Sequence, residues 1–145
     1  GNMADIICDY DTFGLTVEVT MQYGQRQYET EGEPVARHLA KYKKLSNKNA
    51  YCLFIAPQIN EACIAHFYTL AKTNISYYGG KSIIVPLPLE VFMKMVENSY
   101  SARFLPTPEH IKELFDFAQR TVDETTDETQ WYNLVQDKAS NWLTE

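Results

Sequence analysis

Two carboxylates near the start of the chain are spaced so that they could act together. Glu18 stands between the β-formers Val17 and Val19, where a charge is unfavourable unless a partner compensates it. If the chain forms a hairpin that turns about residues 11 and 12, Asp5 lies directly opposite Glu18 on the same face. Such neighbours repel, because their Cβ atoms lie about 5 Å apart. A divalent cation would turn this repulsion into a binding site, and carboxylate oxygens favour Mg²⁺ or Mn²⁺ over zinc.

The same pair of acids has a simpler interpretation. The edge of a hairpin that faces solvent can carry two unrelated acids without any function. A shift of one residue in the pairing would also send the two side chains to opposite faces of the sheet. Spacing alone leaves the metal site and the solvated edge as open alternatives.

Further acids and a histidine follow the second strand. Glu29, Glu31 and Glu33 lie where this strand leads into a basic helix, and one of them could reach the same metal ion or orient a water molecule. His38 and Lys41 lie one helical turn apart and could stabilise the charge that develops on a phosphoryl group under attack. On charge pattern alone, a solvated acidic loop and a solvated helix face explain these residues more simply.

The chain has one dense run of basic residues: Arg37, Lys41, Lys43, Lys44 and Lys48. Beside the carboxylates, this run could contact phosphates, and Arg37, Lys41 and Lys44 are the predicted phosphate contacts. An ordinary charged helix face would have the same composition.

The net charge of −6 argues against a broad nucleic-acid surface. Its distribution is uneven, because residues 1–103 hold ten acidic and ten basic side chains, whereas residues 104–145 hold nine acidic and three basic ones. Any surface that binds nucleic acid must therefore be local, and we expect the acidic tail to face away from it.

Size and composition predict a single soluble domain. The 145 residues suffice for one core and are too few for two. No apolar run has the length of a membrane span, and nothing resembles a signal peptide. Cys8, Cys52 and Cys63 lie in apolar stretches without metal-ligand spacing, which is typical of buried thiols in a reducing cytoplasm.

Strands and helices alternate through the middle of the chain. Residues 5–10 and 15–21 are the predicted hairpin strands, and residues 23–30 are predicted to be irregular. The further predicted strands are residues 50–56 and 82–86. The predicted helices begin at Pro34, at Glu61 after the cap Asn60, at Pro88 and at Pro108, and a last one follows a capping-box pattern at residues 125–128.

The order ββαβαβααα predicts an α/β domain with a mixed sheet flanked by helices. Residues 105–145 are predicted to form a helical C-terminal extension. In its last helix one stripe holds Trp131, Leu134, Val135 and Trp142, which could pack in the core or against a second subunit.

The sequence resembles the AlwI-like family of type IIS restriction and nicking endonucleases. The resemblance covers roughly residues 4–100 and is carried by the segments ADIICDYDTFGLTVEVT, RQYETEGEPVARH, YCLFIAPQIN and YYGGKSIIVPL. This family is similar to the restriction-endonuclease-like PD-(D/E)xK nuclease fold, in which a central sheet carries metal-binding acids on adjacent strands.

The resemblance implies roles for particular residues. Asp5 stands at the aspartate of the first motif and Glu18 at the acid of the second. The main-chain carbonyl of Val19 would be a further ligand of Mg²⁺, for which Mn²⁺ could substitute. Glu31 and His38 would take supporting catalytic roles.

One position departs from the wider superfamily. Thr20 stands where the motif usually has lysine, although the AlwI-like branch has the same VEVT. The resemblance implies that Glu31 and His38 take over the supporting roles in the absence of this lysine.

The resemblance implies a Mg²⁺-dependent enzyme of a prokaryotic restriction-modification system that hydrolyses phosphodiester bonds in double-stranded DNA in the cytoplasm. Enzymes of this type carry an N-terminal DNA-recognition region, and their nuclease fold usually begins with a helix before the first catalytic strand. Neither precedes Asp5. We therefore expect residues 1–145 to be a cleavage domain that is a fragment, possesses an incomplete active site and works with a second nuclease subunit or as a homodimer.

Three other classes of function fit the same residues. A repair or recombination nuclease of this fold would use the same acids with a different upstream partner. A non-catalytic or degenerate partner subunit would keep the fold but bind metal weakly. An α/β protein-interaction module would have no use for Glu18.

Overall fold

The computed structural model describes residues 3–144 and contains five helices around a four-stranded sheet. The strands are β1 (Ile6–Asp9), β2 (Phe13–Val19), β3 (Asn49–Ala56) and β4 (Ile84–Pro88). The helices are α1 (Gly24–Ser46), α2 (Glu61–Lys72), α3 (Leu89–Ser101), α4 (Pro108–Val122) and α5 (Glu128–Ser140), with a 3₁₀ turn at Ser76–Tyr78.

The sheet is mixed and keeps the order of the chain, β1-β2-β3-β4. β1 and β2 form an antiparallel hairpin, whereas β3 runs parallel to both β2 and β4. Each parallel step needs a crossover, which α1 and α2 provide. The predicted α/β fold with a mixed sheet flanked by helices is therefore confirmed. Among residues 3–144, no helix has the length and apolarity of a membrane span.

The register of the hairpin is the one that the turn at residues 11 and 12 predicts. Ile6 pairs with Val17 and Asp9 with Gly14, and continuing this register places Asp5 opposite Glu18. The strand proper begins at Ile6, one residue after Asp5.

The two faces of β2 contact different helices. Phe13, Leu15 and Val17 share a face with Tyr51 of β3, whose ring stacks on Phe115 of α4 at 5.2 Å. Gly14 and Glu18 point the other way, towards α1. A Cβ on Gly14 would lie 2.1 Å from the ring of Tyr42, so only glycine lets this helix approach the strand so closely.

Helix α1 is much longer than predicted. It begins at Gly24, so residues 23–30 are largely helical, and Pro34 lies inside the helix instead of in its first turn. The contacts of Gln27 explain why these first turns were not predicted to be helical. Its side chain is fully buried and hydrogen-bonded to main-chain groups of three residues outside α1. Its Nε2 donates to the carbonyls of Gln22 at 3.0 Å and Gln58 at 2.8 Å, and its Oε1 accepts from the Asn60 amide at 2.8 Å.

The C-terminal helices belong to the main core. Leu114, Phe115, Trp131, Val135 and Ala139 are all fully buried and join the same apolar cluster as the strands. The indole Nε1 of Trp131 donates to the carbonyl of Ala118 at 3.0 Å. These contacts tie α4 and α5 to each other and to the sheet.

Two details of the predicted last helix were wrong. Leu134 is 41% exposed and does not share the buried stripe of Trp131 and Val135. The N-cap is Asp127, which accepts from the Gln130 amide at 2.8 Å, whereas the hydroxyl of Thr125 bonds back to the carbonyl of Thr121 in α4. The capping pattern was therefore placed two residues too early.

Candidate functional site

Glu18 lies at the C-terminal end of β2 and faces α1. The residue is only 7% exposed, and its carboxylate is the one buried acid of the sheet among residues 3–144. Its Oε2 lies 2.8 Å from Nδ1 of His38, within hydrogen-bonding distance. A buried carboxylate without such a partner would be strongly destabilising, so His38 makes the position of Glu18 tolerable.

Asp5 closes the open end of the hairpin beside Glu18. Its Oδ2 accepts a hydrogen bond from the main-chain amide of Val19 at 2.7 Å. This bond orients the exposed carboxylate of Asp5 next to the main chain that follows Glu18. The structure thus brings together all three predicted metal-binding positions: Asp5, Glu18 and Val19.

Helix α1 places Glu31 and His38 above the two acids of the hairpin. The two residues lie seven positions apart, which is about two helical turns, so they project from the same side of α1. The charges of Asp5 and Glu31 both act on Glu18, and the charge of Asp5 also acts on Glu31.

The three acids repel one another. Burial raises the pKa of Glu18, and the charges of Asp5 and Glu31 raise it further, although the hydrogen bond with His38 acts in the opposite direction. Burial and the charge of Asp5 likewise raise the pKa of Glu31. A bound cation would relieve this repulsion and favour the ionised forms.

The residues fit a magnesium ion that keeps several water ligands. Among residues 3–144, no three His, Cys, Asp or Glu side chains are grouped so as to hold a metal by themselves. A metal ion here would have two carboxylates and one main-chain carbonyl as its protein ligands. Mg²⁺ is often held by one or two carboxylates together with water and substrate oxygens. The donor set of Asp5, Glu18 and Val19 matches that preference.

The neighbouring acids of α1 serve other purposes. Glu29 is exposed, and Glu33 binds Nε of Arg37 at 3.1 Å and the hydroxyl of Tyr78 at 2.9 Å. Burial acts to raise the pKa of Glu33, but the hydrogen bonds from Arg37 and Tyr78 lower it overall. Of the three acids that follow the hairpin, only Glu31 joins the site.

The predicted phosphate contacts separate into different environments. Arg37 is paired with Glu33, whereas Lys41 and Lys44 are exposed on the same side of α1. Thr20, at the position of the usual lysine, is buried, and its hydroxyl accepts from the Gln22 amide at 3.0 Å. It closes a turn and brings no positive charge to the site.

A second network at the turn of the hairpin was not predicted. The amine of Lys48 donates to Asp9 at 3.0 Å and to the carbonyl of Tyr10 at 2.6 Å, and the hydroxyl of Tyr42 also bonds to Asp9. These contacts join residues that are separated by 33 to 39 positions in the chain. Sequence spacing has no signal for such pairs.

Comparison with known proteins agrees with this geometry. The model of the AlwI restriction endonuclease family matches residues 1–95, the part of the chain that holds the hairpin, α1 and the whole sheet. The chain belongs to the AlwI restriction endonuclease family. The predicted family is therefore confirmed. The family match ends within α3, so α4 and α5 lie beyond it.

A solved structure extends the similarity to the C-terminal helices. The crystal structure of the small subunit (R.BspD6I2) of the heterodimeric restriction endonuclease R.BspD6I superposes with a TM-score of 0.70 and 26% sequence identity. The match covers 99% of this AlwI-family chain and 66% of that one, so the chain spans slightly less than two thirds of the subunit's length. A search of curated protein sequences found no match.

Proposed function

We propose that the chain is the cleavage domain of a restriction or nicking endonuclease of the type IIS kind, with a PD-(D/E)xK-like site that hydrolyses phosphodiester bonds in double-stranded DNA. The observation that carries this proposal is the buried Glu18, held by His38 and facing Asp5 and Glu31. An acid in this position costs stability, and a metal-dependent reaction is the use that the family suggests for it.

Asp5, Glu18 and the carbonyl of Val19 would hold Mg²⁺, or Mn²⁺ in its place. When bound, the ion would polarise the scissile phosphoryl group and lower the pKa of a water ligand. His38 keeps the carboxylate of Glu18 oriented. Glu31 would accept a hydrogen bond from the attacking water, and the exposed Lys41 would balance charge on the phosphate.

The chain would act together with a second subunit and a DNA-recognition region. The structural neighbour is one subunit of a heterodimeric enzyme, which favours a second nuclease subunit, or a second copy of this chain, as partner. One site cuts one strand, so a double-strand break needs two sites. We propose that a DNA-recognition region acts with this domain, and that the enzyme works in the cytoplasm of a prokaryote.

A non-catalytic subunit of the same fold is the second candidate. One observation favours it: residues 3–144 lack a group of three His, Cys, Asp or Glu side chains that could hold a metal ion. Such a subunit would bind metal weakly and would contribute only DNA or partner contacts.

Calorimetric titration with Mn²⁺ separates the two candidates. We expect the wild-type chain and a Glu29→Gln control to bind the ion, because Glu29 lies outside the site. We expect the Glu18→Gln variant to bind it at least about tenfold more weakly, a loss of about 1.4 kcal/mol for one charged ligand. Nicking of supercoiled plasmid DNA with Mn²⁺ should disappear in the same variant.

Equal Mn²⁺ affinity in wild type and Glu18→Gln would contradict the proposed metal site. Metal binding without plasmid nicking, with the partner subunit present, would favour the non-catalytic subunit.

A further inference from the structure

A large basic cavity lies at the end of the sheet remote from Glu18. It has a volume of about 1010 Å³ and lies between the C-terminal end of α1, the start of β3 and the segment that precedes β4. Asn49, which lines the cavity, pairs with Phe13 of β2. Phe13 lies five residues before Glu18 along this strand, so the cavity begins about 17 Å from Glu18. The cavity is therefore separate from the carboxylate site.

Lysines dominate the charge of this cavity. Lys43, Lys44, Lys48 and Lys81 line it, and of the described residues that line it none is acidic. The whole chain has 13 basic residues and a net charge of −6, so four cations in one cavity are a strong local concentration. A surface of this kind attracts polyanions even on an acidic protein.

Two of the lysines are held in place by the fold. The amine of Lys43 donates to the main-chain carbonyl of Lys81 at 3.0 Å, which ties α1 to the segment before β4. Lys48 is anchored on Asp9 at 3.0 Å, so part of its charge is already neutralised. Within residues 3–144, no carboxylate forms an ion pair with Lys43, Lys44 or Lys81.

The charge of Lys43 is only partly solvated. Burial lowers the pKa of its amine, which means that water does not fully compensate the ammonium group. An anion in the cavity would supply that compensation.

Neutral hydrogen-bond donors complete the lining. The cavity is also lined by four amide-bearing residues: Asn47 and Asn49 around the start of β3, Asn74 after α2, and Gln119 of α4. Lysine amines together with amide and hydroxyl groups are the usual protein contacts to the phosphate oxygens of DNA, and they carry no base preference by themselves.

We infer that this cavity binds the sugar–phosphate backbone of duplex DNA at a second contact, away from the scissile phosphate. A separation of about 17 Å corresponds to about five base pairs at 3.4 Å per base pair, so one duplex lying along α1 could reach both sites. The contact would hold the duplex without reading its sequence. The inference rests on the proposed function only for the choice of DNA as the ligand.

The test is DNA binding by a charge-neutralised double variant, Lys44→Gln with Lys81→Gln. These two lysines are exposed and lie on different segments, so the variant should fold. The matched control is Lys94→Gln with Lys138→Gln, which removes the same charge from exposed positions outside the cavity. Binding of a short fluorescent duplex is measured by anisotropy in EDTA over a range of NaCl concentrations.

We expect the cavity variant to bind more weakly and the slope of log affinity against log salt to become shallower by about 2, since each neutralised phosphate contributes about 0.9. The control should keep the wild-type slope. Equal slopes in the cavity variant and the control, or no binding by the wild type, would overturn the inference. It would also be overturned if polyglutamate bound at the cavity lysines more tightly than the duplex, because the ligand would then be an acidic protein.

The Glu18→Gln variant distinguishes a failure of this inference from a failure of the proposed nuclease function. Duplex binding is measured in EDTA, so it does not depend on a metal ion at Glu18. Loss of cleavage in that variant then reports on the carboxylate site alone, and a changed slope in the lysine variant reports on the cavity alone.

Discussion

At the scale of single residues, the candidate site is built around one buried carboxylate, that of Glu18. Glu18 is buried beside His38, within the fields of Asp5 and Glu31, and burial raises the pKa of its carboxyl group. Its side chain points into the sheet–helix interface, where an amide of the same shape could make the same hydrogen bond to His38. The carboxylate is therefore best explained by what it could bind.

The Glu18→Gln variant should be more stable than the wild type at neutral pH. The pKa of Glu18 is raised in the folded chain, so the folded state binds the proton more tightly than the unfolded state. The stability that this acid contributes is present below its ordinary pKa of 4.5 and is lost as the pH rises through the raised value. Glutamine carries no charge, so the variant does not lose this stability at neutral pH. A gain of about 1 kcal/mol in the free energy of unfolding would raise Tm by about 3 °C.

Thermal unfolding at several pH values measures this effect. The difference between Glu18→Gln and wild type should shrink as the pH falls through the raised pKa of Glu18 towards 4.5. Glu29→Gln, an exposed substitution on the same helix, is the control. Mn²⁺ should stabilise the wild type more than Glu18→Gln, because the variant binds the ion more weakly. A variant less stable than wild type at pH 7 would mean that the His38 contact outweighs the cost of burial.

At the scale of elements, helix α1 organises both candidate sites. Its middle turns place Glu31 and His38 over the end of β2, and its last turns place Lys43 and Lys44 at the cavity. Gly14 allows the close approach that this arrangement needs. The helix continues through Pro34, although an interior proline removes one main-chain hydrogen bond and crowds the preceding turn.

Replacing Pro34 with alanine should stabilise the protein. An interior proline costs a helix about 3 kcal/mol relative to alanine. The more flexible unfolded chain of the variant offsets about 1 kcal/mol of this, so we expect a net gain of about 1–2 kcal/mol in urea unfolding. Pro57→Ala is the control, because Pro57 lies outside the helices and strands and its replacement should be slightly destabilising. A loss of stability in Pro34→Ala would show that α1 needs a bend at this position.

At the scale of the whole molecule, the C-terminal helices complete the core. Trp131 and Phe115 are fully buried, and Tyr68 of α2 packs on Trp131 with ring centroids 5.7 Å apart. The family match ends at residue 95, but the similarity to the solved subunit covers 99% of the chain. We therefore propose that residues 105–145 are an integral part of one domain and not an appended unit.

Removal of residues 105–145 should prevent folding of the remainder. The face of β3 that carries Tyr51 would lose its contact with Phe115, and α2 would lose Trp131. Loss of either large aromatic contact alone costs about 3–5 kcal/mol, which is comparable with the whole stability of a small domain. Circular dichroism during urea titration is the measurement, with the full chain as control. A cooperative transition in the shortened chain would show that residues 1–104 fold independently.

Local patterns alone determined several features of this protein. The turn residues and alternating β-formers set the hairpin register that places Asp5 opposite Glu18. The continuous apolar run of β3 and the cap at Asn60 predicted their elements almost to the residue. These signals are local, because hydrogen bonding and burial in a hairpin or a capped helix depend on near neighbours in the chain.

Tertiary structure alone decided the rest. The first turns of α1 read as a polar loop because their stabilising contacts, those of Gln27 with Gln22, Gln58 and Asn60, reach beyond the helix to other segments. The basic cavity combines lysines from α1 and from the segment before β4, and a hydrogen bond from Lys43 to the Lys81 carbonyl joins the two. The choice of Glu31 over Glu29 and Glu33 likewise depended on how α1 is rotated against the sheet. Rotation and long-range pairing follow from the packing of the whole core, and sequence spacing does not encode them.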